Sequence, residues 1–218
     1  MAAQIVAIDG PAGSGKSSVS KQVARVLGFG YLDTGAAYRA LAWAVQNVAG
    51  FELDKLEQLD LDSDFNYTIS TDPNNYWVRV GQTDVTEAIR SAEVATFVSQ
   101  VAKLAKVREY MKRLTHRIVE QSNAPGVVVE GRDITTVVAP DAKTRILLTA
   151  SEEVRLMRRS AELSVEAAET LKRQVTERDA SDSKVVEFMT PAAGVELVDT
   201  SDLNFEQSVA AVLKLIER

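Results

Sequence analysis

Residues Gly10 to Ser17 read Gly-Pro-Ala-Gly-Ser-Gly-Lys-Ser, and the segment before them, Gln4 to Asp9, is strand-like. A GxxxxGK[ST] pattern set between a strand and a helix is that of a phosphate-binding loop, and it constrains everything around it. The glycines let backbone N–H groups turn inward on one anion, and the helix offers its unpaired N-terminal donors to the same charge. Lys16 adds a mobile positive charge, and the Ser17 hydroxyl suits the shell of Mg²⁺. Gly10, Pro11, Ala12, Gly13, Ser14, Gly15, Lys16, Ser17 and Ser18 are therefore the expected residues for the phosphates of a nucleoside triphosphate. An apolar stripe through Val19, Val23 and Val26 continues the helix to Leu27.

With 218 residues, 45% of them hydrophobic and 26% charged, the chain can bury one large core with small inserts. It has no cysteine and one histidine, which removes thiolate mechanisms, a disulfide scaffold and most zinc sites. A metal, if used, should be oxygen-liganded Mg²⁺. The histidine, His116, reads as a solvated residue on a helix. No apolar run reaches membrane-spanning length and no basic leader precedes the first strand, so a cytoplasmic protein with no membrane partner is expected. The net charge of -6 argues against a broad nucleic-acid surface.

Along the chain, Tyr31-Leu32 reads as a short buried strand ending in Asp33, followed by a helix that carries Thr34 and Arg39 and ends near Gly50. Ligands of open α/β sheets lie beyond strand C-termini, so Asp33 and Arg39 point toward the crevice of Lys16. Asp33 reads equally as a helix cap, and Arg39 as a solvated helix residue. Residues 52–90 look like short strands joined by turns, an antiparallel insert whose core includes Tyr76 and Trp77, with a helix start over Thr83 to Glu87. Ser91 suits a cap, and apolar positions from Val94 to Ile118 recur at three and four, giving one long amphipathic helix or two in succession.

Val127 to Val129 is a continuous apolar run of the kind found in a strand covered on both faces, and it delivers Glu130, Arg132 and Asp133. A strand over Arg145 to Thr149 follows, then a Thr149/Glu152 capping box and a helix with Arg155, Arg158 and Arg159, which reads either as a site face or as a surface salt-bridge face. A further segment delivers Arg173, Arg178, Asp179, Asp182 and Lys184 before the last strand near Val195 to Val198 and a closing helix from Phe205 to Ile216. Arginines arriving from at least four segments exceed what one triphosphate needs, and a second phosphorylated substrate accounts for them. Its phosphate oxygen is already largely ionised at neutral pH, so no general base is required; alignment, charge neutralisation and a lid that excludes water suffice.

The stretches AIDGPAGSGKSS, YLDTGAAYR, EVATFVSQVAKLAKVR, GRDITTVVAPDA, ASEEVRLMRR and ERDASDSK run in order along nearly the whole chain, and together they resemble bacterial cytidylate kinases. The resemblance implies an α/β P-loop kinase with a parallel five-stranded core sheet, an inserted monophosphate-binding subdomain and a helical lid. As one domain, 1–218, its core would be 1–51, 91–154 and 188–218, its insert about 52–90 and its lid about 155–187. It implies transfer of the γ-phosphate of ATP, with Mg²⁺, to CMP or dCMP. Lys16, Arg132, Arg158 and Arg178 would be catalytic, with Ser17 and Asp33 toward the metal. Ser99, Arg108 and Asp133 would address the cytosine, Arg39 and Arg132 the acceptor phosphate, Asp33 and Thr34 the same substrate site, and Arg178 and Asp182 the lid and sugar side.

A monomer acting only on small molecules is expected. A kinase of UMP or AMP is the alternative, and a nucleotide switch working through a protein partner is disfavoured because no NKxD base-reading motif is present. Two positions depart from the family pattern. Val185, preceded by Lys184, stands where the family usually has arginine, and Thr135 stands where it usually has glycine, so the turn at Thr135 should not need a positive φ.

Overall fold

The computed structural model describes residues 3–160 and 189–217. In chain order the elements are β1 (Gln4–Asp9), α1 (Lys16–Leu27), β2 (Gly30–Asp33), α2 (Thr34–Asn47), α3 (Leu61–Asp64), β3 (Tyr67–Ile69), β4 (Val78–Val80), β5 (Thr83–Asp84), α4 (Ala92–Ala102), α5 (Ala105–Glu120), β6 (Gly126–Gly131), β7 (Thr144–Thr149), α6 (Glu152–Ser160), β8 (Glu196–Asp199) and α7 (Phe205–Ile216). Five strands form one parallel sheet in the order β2-β6-β1-β7-β8. β6 is buried along its whole length between two partners, which is why Val127 to Val129 does not alternate with polar residues.

Both faces of the sheet are covered. Val6, Ile8, Val128, Ile146 and Leu148 pack on α1 and α7 through Val19, Val23, Val209 and Val212. Ala7, Leu32, Val127 and Val129 face the opposite way, onto Val119, Ile134 and Val138. A further cluster joins α2, α4 and α5 to the insert through Leu41, Leu56, Phe65, Val78, Ile89, Val98 and Met111. The parallel register sets Asp33 beside Glu130 and Asp9 beside Gly131, so three carboxylates collect at the C-terminal edge. β6 and β7 flank β1 on opposite sides, and the crevice opens where the connections diverge.

The insert is an antiparallel sheet, β3-β4-β5, as its turn-rich texture predicts. Several details differ from expectation. Thr83-Asp84 is the strand β5 rather than a helix start, because its backbone pairs with β4. Leu61–Asp64 is a single helical turn capped by Asp60, not a strand. α2 stops at Asn47, where Val48 turns extended, and Gly50 serves the turn beyond. The apolar stripe from Val94 is two helices, α4 and α5, with Ser91 accepting from Val94 N at the start. α6 is capped by Ser151, whose Oγ accepts from Val154 N at 3.3 Å; Thr149 instead ends β7 and its carbonyl accepts from Thr200 N.

Tyr76 is not a private core residue of the insert. Its ring lies 6.0 Å from that of Tyr31 and under Lys21 at 4.9 Å, so it bridges insert and main sheet. Trp77 is covered by the Arg79 guanidinium at 4.6 Å. The insert's turn is also tied down by Arg25, which donates to Pro73 O at 2.8 Å and Asn74 Oδ1 at 3.1 Å. Arg178, Asp182, Lys184, Val185 and most of the expected lid lie outside the described residues. No described helix is long and apolar enough to cross a membrane.

Candidate active site

The loop between β1 and α1 depends on glycine at two points. Gly15, the N-cap of α1, has φ 84°, and Gly13 has φ 77° with its missing Cβ only 2.5 Å from the Arg155 carbonyl oxygen. No side chain caps α1 and no acid occupies its first turn, so its first N–H groups and dipole remain available to an anion. The Ser14 hydroxyl is buried without a hydrogen-bond partner beside them. Lys16 Nζ lies 3.9 Å from Glu130 Oε2.

Glu130 is the electrostatic centre of the crevice. Tyr31 OH donates to its Oε1 at 2.7 Å, while Oε2 is buried without a hydrogen-bond partner. Burial raises its pKa, the negative charge of Asp33 raises it further, and Lys16, Ser17 and Tyr31 offset part of this. The folded protein therefore binds a proton at Glu130 more readily than the unfolded chain does. This contribution favours folding below the ordinary carboxylate range and is lost as pH climbs through the raised folded pKa. Glu130→Gln is accordingly expected to raise the thermal midpoint at pH 7 and to flatten its decline between acid and neutral pH. A calorimetric pH series checks both; a lower midpoint at pH 7 would mean that the ion pair with Lys16 outweighs burial.

Asp33 is the helix cap that its spacing allows, and it also pairs with Arg39, which the spacing did not suggest. Its Oδ1 caps α2 by accepting from Ala36 N at 3.1 Å, and its Oδ2 accepts from Arg39 Nη2 at 2.6 Å. Burial works to lower the Arg39 pKa, but the charge on Asp33 and its neighbours outweighs this and raises it. Arg39 Nε is buried without a hydrogen-bond partner. Thr34 donates to the Glu130 carbonyl at 2.8 Å, which joins the start of α2 to the end of β6.

Arg132 donates to the carbonyl of Gly10 at 2.9 Å, linking the turn after β6 to the phosphate loop. Asp133 and Arg108 face each other at 3.4 Å on the wall of a cavity of about 110 Å³, lined also by Thr34, Tyr38, Met111 and Thr115. Ser99, half-buried on α4, does not line that cavity. Arg158 donates to Ser14 O, Thr200 Oγ1, Thr200 O and Leu203 O, clasping the loop to the segment after β8. Arg155 donates to Ala12 O at 3.0 Å and is buried. Two of the arginines on α6 thus hold the loop rather than forming a surface salt-bridge face.

Sequence reasoning gave no role to Asp9, Tyr31 or Thr200. Asp9, 2% exposed, accepts from Ile134 N, Thr135 N and Thr135 Oγ1 at 2.9, 2.8 and 2.6 Å. An acid ending an apolar strand beside the loop was the available signal, but its partners are 125 and 126 residues away. No non-glycine residue described has a positive φ, so the turn at Thr135 needs none, as its side chain predicts. Among the described residues no three His, Cys, Asp or Glu side chains converge as a metal-binding group.

The sequence profile of the family described as cytidylate kinase matches residues 6–218. Cytidylate kinase of Streptomyces avermitilis is 43% identical over 218 residues, covering 99% of this chain and 93% of that protein. Cytidylate kinase of Cutibacterium acnes is 40% identical over 217 residues, covering 97% and 95%. That of Carboxydothermus hydrogenoformans is 38% identical over 220 residues, covering 98% and 97%.

Proposed function

The chain belongs to the cytidylate kinase family; it is an enzyme that transfers phosphate to CMP or dCMP, and we propose the following division of labour among its residues. Gly10 to Ser18 hold the phosphates of ATP on backbone donors, and Lys16 follows the charge of the transferred group. Arg39 and Arg132 hold the acceptor phosphate, Arg108 and Asp133 read the cytosine from the cavity wall, and Ser99 joins them from α4, outside that cavity. Arg158, with Arg178 from the expected lid, completes the cationic surround, and Asp182 serves the sugar side. The enzyme acts as a monomer on small molecules, with the core, insert and lid boundaries given above. The support for this reading is that the C-terminal ends of β2 and β6 bring Asp33, paired with Arg39, beside Glu130, which faces Lys16, while the turn after β6 presents Asp133 to Arg108.

Mg²⁺ fits the donor set. Glu130 Oε2 is a buried oxygen without a hydrogen-bond partner, with Ser17 and Asp33 beside it, and all three offer the hard oxygen ligands that this ion takes alongside substrate phosphates. When bound it would neutralise charge on the donor phosphates. The acceptor phosphate needs no general base, since it is largely dianionic at neutral pH, and the chain's task is to align it with the γ-phosphorus and exclude water.

Cytosine offers an exocyclic amine where uracil offers a carbonyl, so an ionised Asp133 accepts from the first and repels the second. With ATP and Mg²⁺, kcat/KM for CMP should exceed that for UMP by about ten-fold or more. Asp133→Asn, which replaces an acceptor by a group that also donates, should lower CMP turnover and shift the CMP to UMP ratio toward UMP by about ten-fold. Steady-state rates with CMP, dCMP, UMP and AMP test both statements. Equal use of UMP by the unaltered enzyme would overturn the base-reading assignment.

A further inference from the structure

The Thr135 hydroxyl is the shortest of three hydrogen bonds received by the buried carboxylate of Asp9, at 2.6 Å. Asp9 is the last residue of β1 and immediately precedes Gly10; Thr135 lies two residues beyond Asp133 in the π-helical turn Ile134–Val138. The same turn is pinned from the other side, where Arg145 donates to the Thr135 carbonyl at 3.3 Å and Arg132 to Gly10 O at 2.9 Å. We propose that Thr135 is a positioning residue, one that acts through Asp9 to lock the turn carrying Arg132 and Asp133 to the first residue of the phosphate loop.

This junction can be held in few ways. Asp9 and Gly131 are register partners on adjacent parallel strands, and beyond them the ladder ends. From that point the two chains diverge, one into the loop for the donor phosphates and the other into the turn for the acceptor. A carboxylate that accepts two backbone N–H groups and one hydroxyl fixes the turn's position at three points, two of them on Oδ2. Burial raises the pKa of Asp9, and the Thr135 hydroxyl is the strongest influence opposing that shift, followed by the two backbone N–H groups and Lys16. A glycine at this position keeps both backbone donors and lacks only the hydroxyl.

This inference rests on the reading of Arg132 and Asp133 as acceptor-site residues, and the test separates the two. KM for CMP, KM for ATP and the thermal midpoint are measured for Thr135→Val, Thr135→Ser and Thr135→Gly, with Asp133→Ala alongside. Valine keeps the shape and removes the hydroxyl, so KM for CMP is expected to rise about ten-fold, the effect of losing one hydrogen bond to a charged group. Serine should restore KM to within about two-fold, since it retains the donor. Glycine should resemble valine in KM. In an Asp9→Asn background the valine change should add nothing further to KM.

A lower thermal midpoint with unchanged KM in the valine variant would overturn the positioning role, leaving a purely structural bond. If Asp133→Ala also leaves KM for CMP unchanged, the acceptor-site reading itself fails. If it raises KM while valine does not, only the role of Thr135 falls.

Discussion

Lys16→Met is expected to lower kcat by about 10²- to 10³-fold while the protein stays folded, the range that follows removal of one preorganised donor to transition-state charge. Methionine keeps the length and the apolar stem of the side chain, so the change removes charge rather than packing. Lys16 is placed to act at two points. It lies at the start of α1, where the backbone donors gather, and its ammonium sits 3.9 Å from the buried Glu130. In the variant Glu130 loses a cation that opposes its burial, so its pKa rises further and it takes up a proton more readily. Lys16→Met combined with Glu130→Gln should then recover thermal stability without recovering kcat. Single-turnover kinetics with saturating ATP and CMP measure the chemical step directly, and a kcat within a few-fold of the unaltered enzyme would remove Lys16 from the reaction.

Arg39→Ala is the second large effect. The guanidinium and the Asp33 carboxylate meet at 2.6 Å with side chains 17% and 12% exposed, so removing the cation strands a largely buried acid. Breaking such a pair by deleting one partner costs about 3–5 kcal/mol when fully buried, and the residual exposure here places the stability loss toward or below the lower end. The loss in kcat/KM for CMP should be about 10²-fold or greater, because the same guanidinium is the proposed holder of the acceptor phosphate. KM for ATP should move little. Two companion variants separate the effects. Arg39→Lys supplies charge without the planar fork and should recover stability more than CMP affinity. Asp33→Asn with Arg39→Ala removes the stranded acid and should recover stability with no recovery of KM for CMP. If that double variant binds CMP normally, Arg39 serves only to hold Asp33.

The two predictions rest on different kinds of information. The place of Lys16 is written locally: strand, glycine-rich turn and helix are adjacent in sequence, and Gly13 and Gly15 adopt the left-handed conformations that the pattern implies. Asp33 and Arg39 were legible only as residues facing the crevice or, failing that, as a helix cap and a solvated helix position; their ion pair, six residues apart across the start of α2, was not foreseen. The folded protein uses one carboxylate oxygen for the cap and the other for the pair. Tyr76 shows where local texture misleads. Its neighbours read as a self-contained insert, whereas its ring packs on Tyr31 of the main sheet and under Lys21 of α1.

What the sequence determined alone was the phosphate loop, the alternation of strands and helices, the antiparallel insert, and the set of arginines and carboxylates that a second phosphorylated substrate requires. These are short-range features, fixed by glycine conformation, hydrophobic period and turn chemistry. Only the tertiary structure decided which of those groups meet. The order β2-β6-β1-β7-β8 sets Asp33 beside Glu130 and brings Asp9 to Thr135 across 126 residues of chain. It also turns Arg158 onto the loop and the segment at Thr200. Such contacts depend on parallel strand register and on which helix covers which face, and those are settled by packing the whole sheet at once, since no single segment carries enough buried surface to choose its partner.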